Sequence, residues 1–181
     1  MTPARFAAWK EPDITGELCR EMRAWMATDD APRWITNYTV LDDPNVDIEE
    51  KYGASRPRID IEIERVQRGP RPCFRFEAKR LGPQHPVSGY LGKDGLLALL
   101  DGHYPLTHPE AAMLGYVQQE NSEHWFSQIA TKISKKSTEH FFNTESGFEE
   151  DRTMRPLKSR LSRHSVEGRG IAVWHTLLEF I

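Results

Sequence analysis

Arg58-Ile59-Asp60-Ile61-Glu62-Ile63-Glu64 and, a short break later, Phe74-Arg75-Phe76-Glu77-Ala78-Lys79-Arg80-Leu81 decide how this chain folds. In the first stretch Ile59, Ile61 and Ile63 alternate with Asp60, Glu62 and Glu64. A period of two places the isoleucines on one face of a strand and the acids on the other. The second stretch alternates Phe74, Phe76 and Ala78 against Arg75, Glu77 and Lys79. Between them Arg68-Gly69-Pro70-Arg71-Pro72 has the residues of a turn, so the two stretches predict a hairpin. Glu77 and Lys79 are two apart and point the same way, and Asp60 lies on the polar face of the neighbouring strand. Where Asp60 stands level with Glu77, two carboxylates and an ammonium meet.

On the N-terminal side, Ile14, Leu18, Met22 and Trp25 mark one face of a helix over 14–26, started by Pro12-Asp13. Trp34 to Leu41 predicts a strand closed by Asp42-Asp43-Pro44-Asn45, with a polar loop to Pro57. On the C-terminal side a loop runs to Tyr90, followed by a helix over Lys93–Leu100 that Asp101-Gly102 closes. Thr107-His108-Pro109-Glu110 has the form of a capping box, but Met113-Leu114-Gly115-Tyr116-Val117 suits a buried strand, so a turn leading into a strand is expected. A helix over 122–135 carries Trp125, Ile129 and Ile133 on one face; 143–169 reads as polar and weakly structured, and Ile171 to Ile181 as a closing strand. No repeat or low-complexity tract interrupts this order. It predicts a single α/β domain over 1–181, with a mixed sheet flanked by helices.

The 181 residues are 38% hydrophobic and 28% charged, which is ordinary for a globular protein. The opening Met1-Thr2-Pro3-Ala4-Arg5-Phe6-Ala7-Ala8-Trp9 lacks the apolar run of a secretion signal, and no stretch is long enough to span a bilayer. A cytoplasmic location without membrane attachment follows as the expectation. Cys19 and Cys73 are far apart and have no metal-type spacing, so they are read as reduced thiols. A net charge of -3 speaks against a protein that coats nucleic acid by bulk attraction. Basic residues are nevertheless gathered in two runs, 65–80 and 152–169, and either can meet phosphates or form a solvated face. Of the histidines, His164 is of interest because it sits in the second run; the others read as ordinary core or surface groups. Trp25 and Trp125 fall on apolar helix faces and are expected in the core, which leaves Trp9 and Trp34 free to stack on bases.

Asp60, a gap of 16 residues, then Glu77-Ala78-Lys79 resembles the Asp, variable gap, Glu-x-Lys signature of the PD-(D/E)XK nuclease superfamily, with Pro57 displaced to three residues before Asp60. The resemblance implies a restriction-endonuclease-like core. Asp60 and Glu77 would hold Mg²⁺, or Mn²⁺ in its place, and Lys79 would act on the attacking water. Members also place an acid on the first helix; Glu11 or Glu17 fills that role, with Glu11 favoured. Glu77-Ala78-Lys79-Arg80-Leu81, Tyr90, Gly95, Gly102 with Tyr104, residues 113–117, and Ser162-Arg163-His164-Ser165 before Trp174-His175 are similar to a small bacterial branch of nuclease-fold proteins. The implied activity is metal-dependent hydrolysis of DNA, with RNA as second choice, and the implied setting is defence against foreign DNA. Arg80, Arg160, Arg163 and His164 are the expected nucleic-acid contacts. The competing expectation is a catalytically silent nuclease fold that serves as a binding or assembly subunit, as a homodimer or with a partner protein.

Overall fold

The computed structural model describes residues 3–48, 51–136, 148–152 and 156–181. Seven strands form one mixed sheet: β1 (Tyr38–Asp42), β2 (Ile61–Arg65), β3 (Cys73–Leu81), β4 (Glu110–Val117), β5 (Glu149–Asp151), β6 (Ser159–Val166) and β7 (Arg169–Glu179), in the spatial order β1-β2-β3-β4-β7-β6-β5. The first three run as an antiparallel meander, β4 pairs parallel with both β3 and β7, and β6 and β5 complete the far edge antiparallel. Parallel neighbours need crossovers, and these carry helices: α2 (Val87–Tyr90) and α3 (Leu96–Leu100) after β3, and α4 (Ser122–Lys136) after β4. α1 (Glu11–Met26) precedes the sheet. The chain is therefore α/β, with helices on both faces. Among the described residues no helix is long and apolar enough to cross a membrane.

Two cores follow from the alternation of side chains. Ile61, Ala78, Leu114 and Tyr116 pack with Phe6, Ile14 and Cys19 of the α1 layer. Leu81, Met113, Val117 and Val173 pack on the opposite face with Tyr90, Leu96, Leu99, Phe126 and Ile129. β4 lies between them and is buried from Ala111 to Val117, as a central parallel strand with both faces covered should be. Gly115 gives these layers room, because a Cβ would meet the tips of the Leu177 and Leu81 side chains and force them to shift.

The helix over 122–135 and the closing strand form where the sequence places them. The hairpin forms too, but its first strand begins at Ile61 and not at Arg58: the alternation breaks before it, so Ile59 packs in the core opposite that of Ile61 and Ile63. α1 starts at Glu11, earlier than the apolar spacing indicates, because Pro12 is well suited to a helix's first turn. Its buried stripe runs through Ile14, Leu18, Cys19, Met22 and Met26, so Trp25 is 49% exposed and is not a core residue. Arg33–Asn37 is a 3₁₀ turn and the strand begins only at Tyr38. The loop before Tyr90 contains α2, and the Leu-rich helix is confined to Leu96–Leu100. The region 143–169 is not weakly structured in its described part, which contains β5, β6 and the start of β7; residues 143–147 and 153–155 lie outside the described residues. Its polar composition misleads because Ser159, Ser162 and His164 are buried and find polar partners inside the fold.

Candidate functional site

β2 begins at Ile61, paired with Phe76, whereas β3 continues to Leu81. This leaves residues 77–81 of β3 without a strand partner on that side, and two acids take the place of one. The Ala78 N–H donates to Asp60 Oδ2 at 2.7 Å, and the Arg80 N–H donates to Glu11 Oε2 at 3.0 Å. Both carboxylates are thus fixed by backbone donors, charge-assisted bonds stronger than neutral ones.

The Lys79 ammonium stands between them. Its Nζ donates to Glu77 Oε1 at 2.7 Å, to Glu11 Oε1 at 3.0 Å and to the Ala78 carbonyl at 2.6 Å, and lies 3.8 Å from Asp60 Oδ2. Glu77 is the innermost member, its side chain 7% exposed against 17% for Lys79, so solvent reaches the cluster past Lys79, Asp60 and Glu11. The polar face of the hairpin is therefore a covered cleft and not an open solvated face, with Arg75 also buried in it and paired to Glu62 at 2.8 Å.

Glu11 owes its place to anchors in the first turn of α1. Thr15 Oγ1 donates to the Glu11 carbonyl at 3.0 Å and meets the Tyr116 hydroxyl of β4 at 2.9 Å. The Gln118 amide donates to the carbonyls of Phe6 and Trp9, tying the segment before α1 to the end of β4. Glu17 points elsewhere, to Arg20 at 2.6 Å and Arg5 at 3.9 Å, so it is Glu11 that joins Lys79.

Burial pushes the Glu77 carboxyl up to about 8, and the neighbouring Asp60 charge adds to that rise, outweighing Lys79. Asp60 is also raised, by burial first, with Lys79 and the Ala78 N–H opposing. Burial alone would lower Lys79, but Glu77, Asp60 and Glu11 together hold it above the ordinary lysine range. A group so protonated donates hydrogen bonds and does not act as a base at neutral pH. Tyr104, which sequence reasoning did not place in the site, is raised by burial and then by the Glu77 charge. Asp60 and Tyr104 both approach the Glu77 carboxyl, but its buried Oε2 meets no donor at full hydrogen-bond geometry. An orphaned carboxylate oxygen beside two further carboxylates is a donor set suited to a hard divalent ion. Among the described residues no three acids are gathered around a common point as a ready metal cage, for here they surround the Lys79 ammonium.

The remaining expected contacts are spread out. Arg80 is half-buried beside the cluster, at the end of β3. Arg163 is exposed on β6. Arg160 is engaged within the fold, paired to Glu123 at 3.0 Å with its guanidinium 4.7 Å from the Phe126 ring. His164 does not line a surface edge: it is 2% exposed. Ser162 Oγ bridges His164 Nε2 and His175 Nε2 at 2.7 Å each, and Tyr90 meets His175 Nδ1 at 3.0 Å. Burial holds His175 well below the ordinary histidine range, so the imidazole is neutral inside this chain of hydrogen bonds. Trp34 is exposed, whereas Trp9 packs edge-on to Phe6 at 4.8 Å.

No family model matches the chain, and comparisons with curated proteins and with solved structures give no significant match.

Proposed function

We propose that this protein is a divalent-metal-dependent phosphodiesterase of the PD-(D/E)XK nuclease type, acting in the cytoplasm on DNA, with RNA as the second choice. The observation that carries the reading is the convergence of Glu11, Asp60 and Glu77 on Lys79 at the open edge of β3. Support also comes from Glu77, whose retained proton and partnerless Oε2 are those of a carboxylate made to be neutralised by a cation.

Asp60 and Glu77 would hold Mg²⁺ or Mn²⁺, with Glu11 beside them. When bound, such an ion supplies Lewis-acid stabilisation of a phosphoryl oxygen and a more acidic water. Glu77 would release its proton to solvent on taking up such an ion. Asp60 and Glu11 would keep their bonds to the Ala78 and Arg80 N–H groups, while Glu77 would have to turn from Lys79 towards the ion. Lys79, held as an ammonium, would exchange its bond to Glu77 for one to the phosphoryl oxygen as charge develops there.

The second reading, a silent binding or assembly subunit working as a homodimer or with a partner protein, is favoured by one observation. Asp60 and Glu11 also replace a missing strand along β3, a structural task that would retain them without catalysis. Incubation with supercoiled plasmid, linear duplex, single-stranded DNA and RNA in Mg²⁺ or Mn²⁺ against EDTA separates the two. Metal-dependent cleavage that Asp60→Ala abolishes is expected; integrity of all four substrates would leave the assembly reading. Defence against foreign DNA is the setting this activity would suit.

A further inference from the structure

Beyond Leu81 the chain turns sharply: the Gly82 N–H donates to the His85 carbonyl at 3.2 Å and the His85 N–H returns to the Gly82 carbonyl at 2.9 Å. This turn and the end of β4 wall a pocket of about 470 Å³ lined by Arg80, Gln84, His85 and Gln119, with Ala7 and Ala8 opposite. The alanines leave room that larger side chains would fill. The Arg80 side chain has no hydrogen bond or ion pair among the described residues, although its own N–H is bound to the Glu11 carboxylate. A half-buried guanidinium with no acceptor among the described residues is free to take an anion. Its field reaches the imidazole: His85 is lowered by burial and then by Arg80, with Glu11 opposing. The pocket is therefore lined by a guanidinium, side-chain amides and an imidazole, with the Glu11 carboxylate behind the Arg80 backbone.

We propose that this pocket binds one phosphate group of the nucleic-acid backbone next to the acidic centre, an assignment that rests on the phosphodiesterase reading. Glu11 joins the two sites, one oxygen on Lys79 and the other on the Arg80 N–H, so pocket and cluster are one β3 residue apart. Three carboxylates repel a polyanion, and a cation beside them is what lets a strand lie across the edge of β3. Arg80 and His85 act here in binding and positioning, and the bond-breaking groups remain Asp60, Glu77 and Lys79.

The test is made on the full chain in EDTA, which removes cleavage. Inorganic phosphate is titrated at fixed pH while the His85 ring signal is followed by NMR, and a 12-nucleotide DNA strand, with or without a 5′-phosphate, is titrated by fluorescence anisotropy. Phosphate should shift His85 to saturation, and Arg80→Ala should remove that response and weaken strand binding about tenfold, the scale of a lost charge-assisted phosphate contact. Arg80→Lys should fall between, having the charge without the fork, and matched melting temperatures show that the variants fold. Preference for the 5′-phosphorylated strand assigns the pocket to a terminal phosphate; equal binding assigns it to an internal diester. A His85 signal indifferent to phosphate, or strand affinity unchanged in folded Arg80→Ala, overturns the pocket even where plasmid is cleaved. A saturable, Arg80-dependent response in a protein that cleaves nothing would retire the enzyme and retain the phosphate site.

Discussion

Glu77 is where the sheet's covalent pattern meets its electrostatics. Its carboxyl rises from 4.5 to about 8, so the folded chain binds this proton more tightly than the unfolded chain does. The contribution to stability is complete below the unfolded value of 4.5 and is lost as pH climbs through about 8. Across that window a single such group costs up to about 1.4 kcal/mol per pH unit. Glu77→Gln, neutral at every pH, should flatten the fall in urea midpoint between pH 5 and pH 8; a slope identical to wild type would show that another group holds the proton. Lys79→Ala should abolish cleavage, and because it leaves three acids facing one another it should also cost stability. A loss of about 3 kcal/mol at pH 8, the scale of breaking a buried ion pair, is expected, and less at pH 5, where the acids can protonate. Circular dichroism and melting curves at both values check this, and equal loss at both would mean that Lys79 is not compensating these carboxylates.

At the level of elements, the site depends on an unequal hairpin: β3 outruns β2, and acids from α1 and from the residue before β2 fill the gap. The far side of the sheet shows the same logic in neutral form. Ser162 on β6 bridges His164 to His175 on β7, which in turn meets Tyr90 of α2, so a polar chain staples two strands to a helix. Ser162→Ala removes the shared hydroxyl from two buried imidazoles and should destabilise the fold by about 1–3 kcal/mol. Because this chain does not touch Lys79, metal-dependent cleavage below the melting transition should be unaffected. A melting temperature equal to wild type would mean that water replaces the hydroxyl.

Over the whole molecule, a net charge of -3 makes any hold on nucleic acid depend on where the cations stand. Arg160 and Arg163 are three apart on β6 but serve different ends. Arg160 is committed to Glu123 and the Phe126 ring, whereas Arg163 is exposed. Arg163→Ala should weaken binding of different sequences about equally and reduce the salt slope by about 1, while Arg160→Ala should lower the melting temperature more than the affinity. Salt titrations of both variants on one duplex decide this, and an unchanged slope for Arg163→Ala would make that strand a packing or partner surface.

Within β3 and β4 the order of residues is enough to say which side chains share a side, though at Ile59, before β2 begins, it is not. A period of two sends Glu77 and Lys79 the same way, and the apolar run 113–117 reads as a buried strand. Only the tertiary structure decided what covers those sides. The period of two marks the acid face of the hairpin as polar without saying how deep it lies; in the fold Glu77 is buried with Tyr104 nearby, and that burial raises it. His164 in a basic stretch reads as a surface cation, yet β6 packs it against Ser162. The reason is physical: side-chain direction is local and follows from backbone period, whereas burial and proton affinity depend on neighbours that are distant in sequence and adjacent only in the fold.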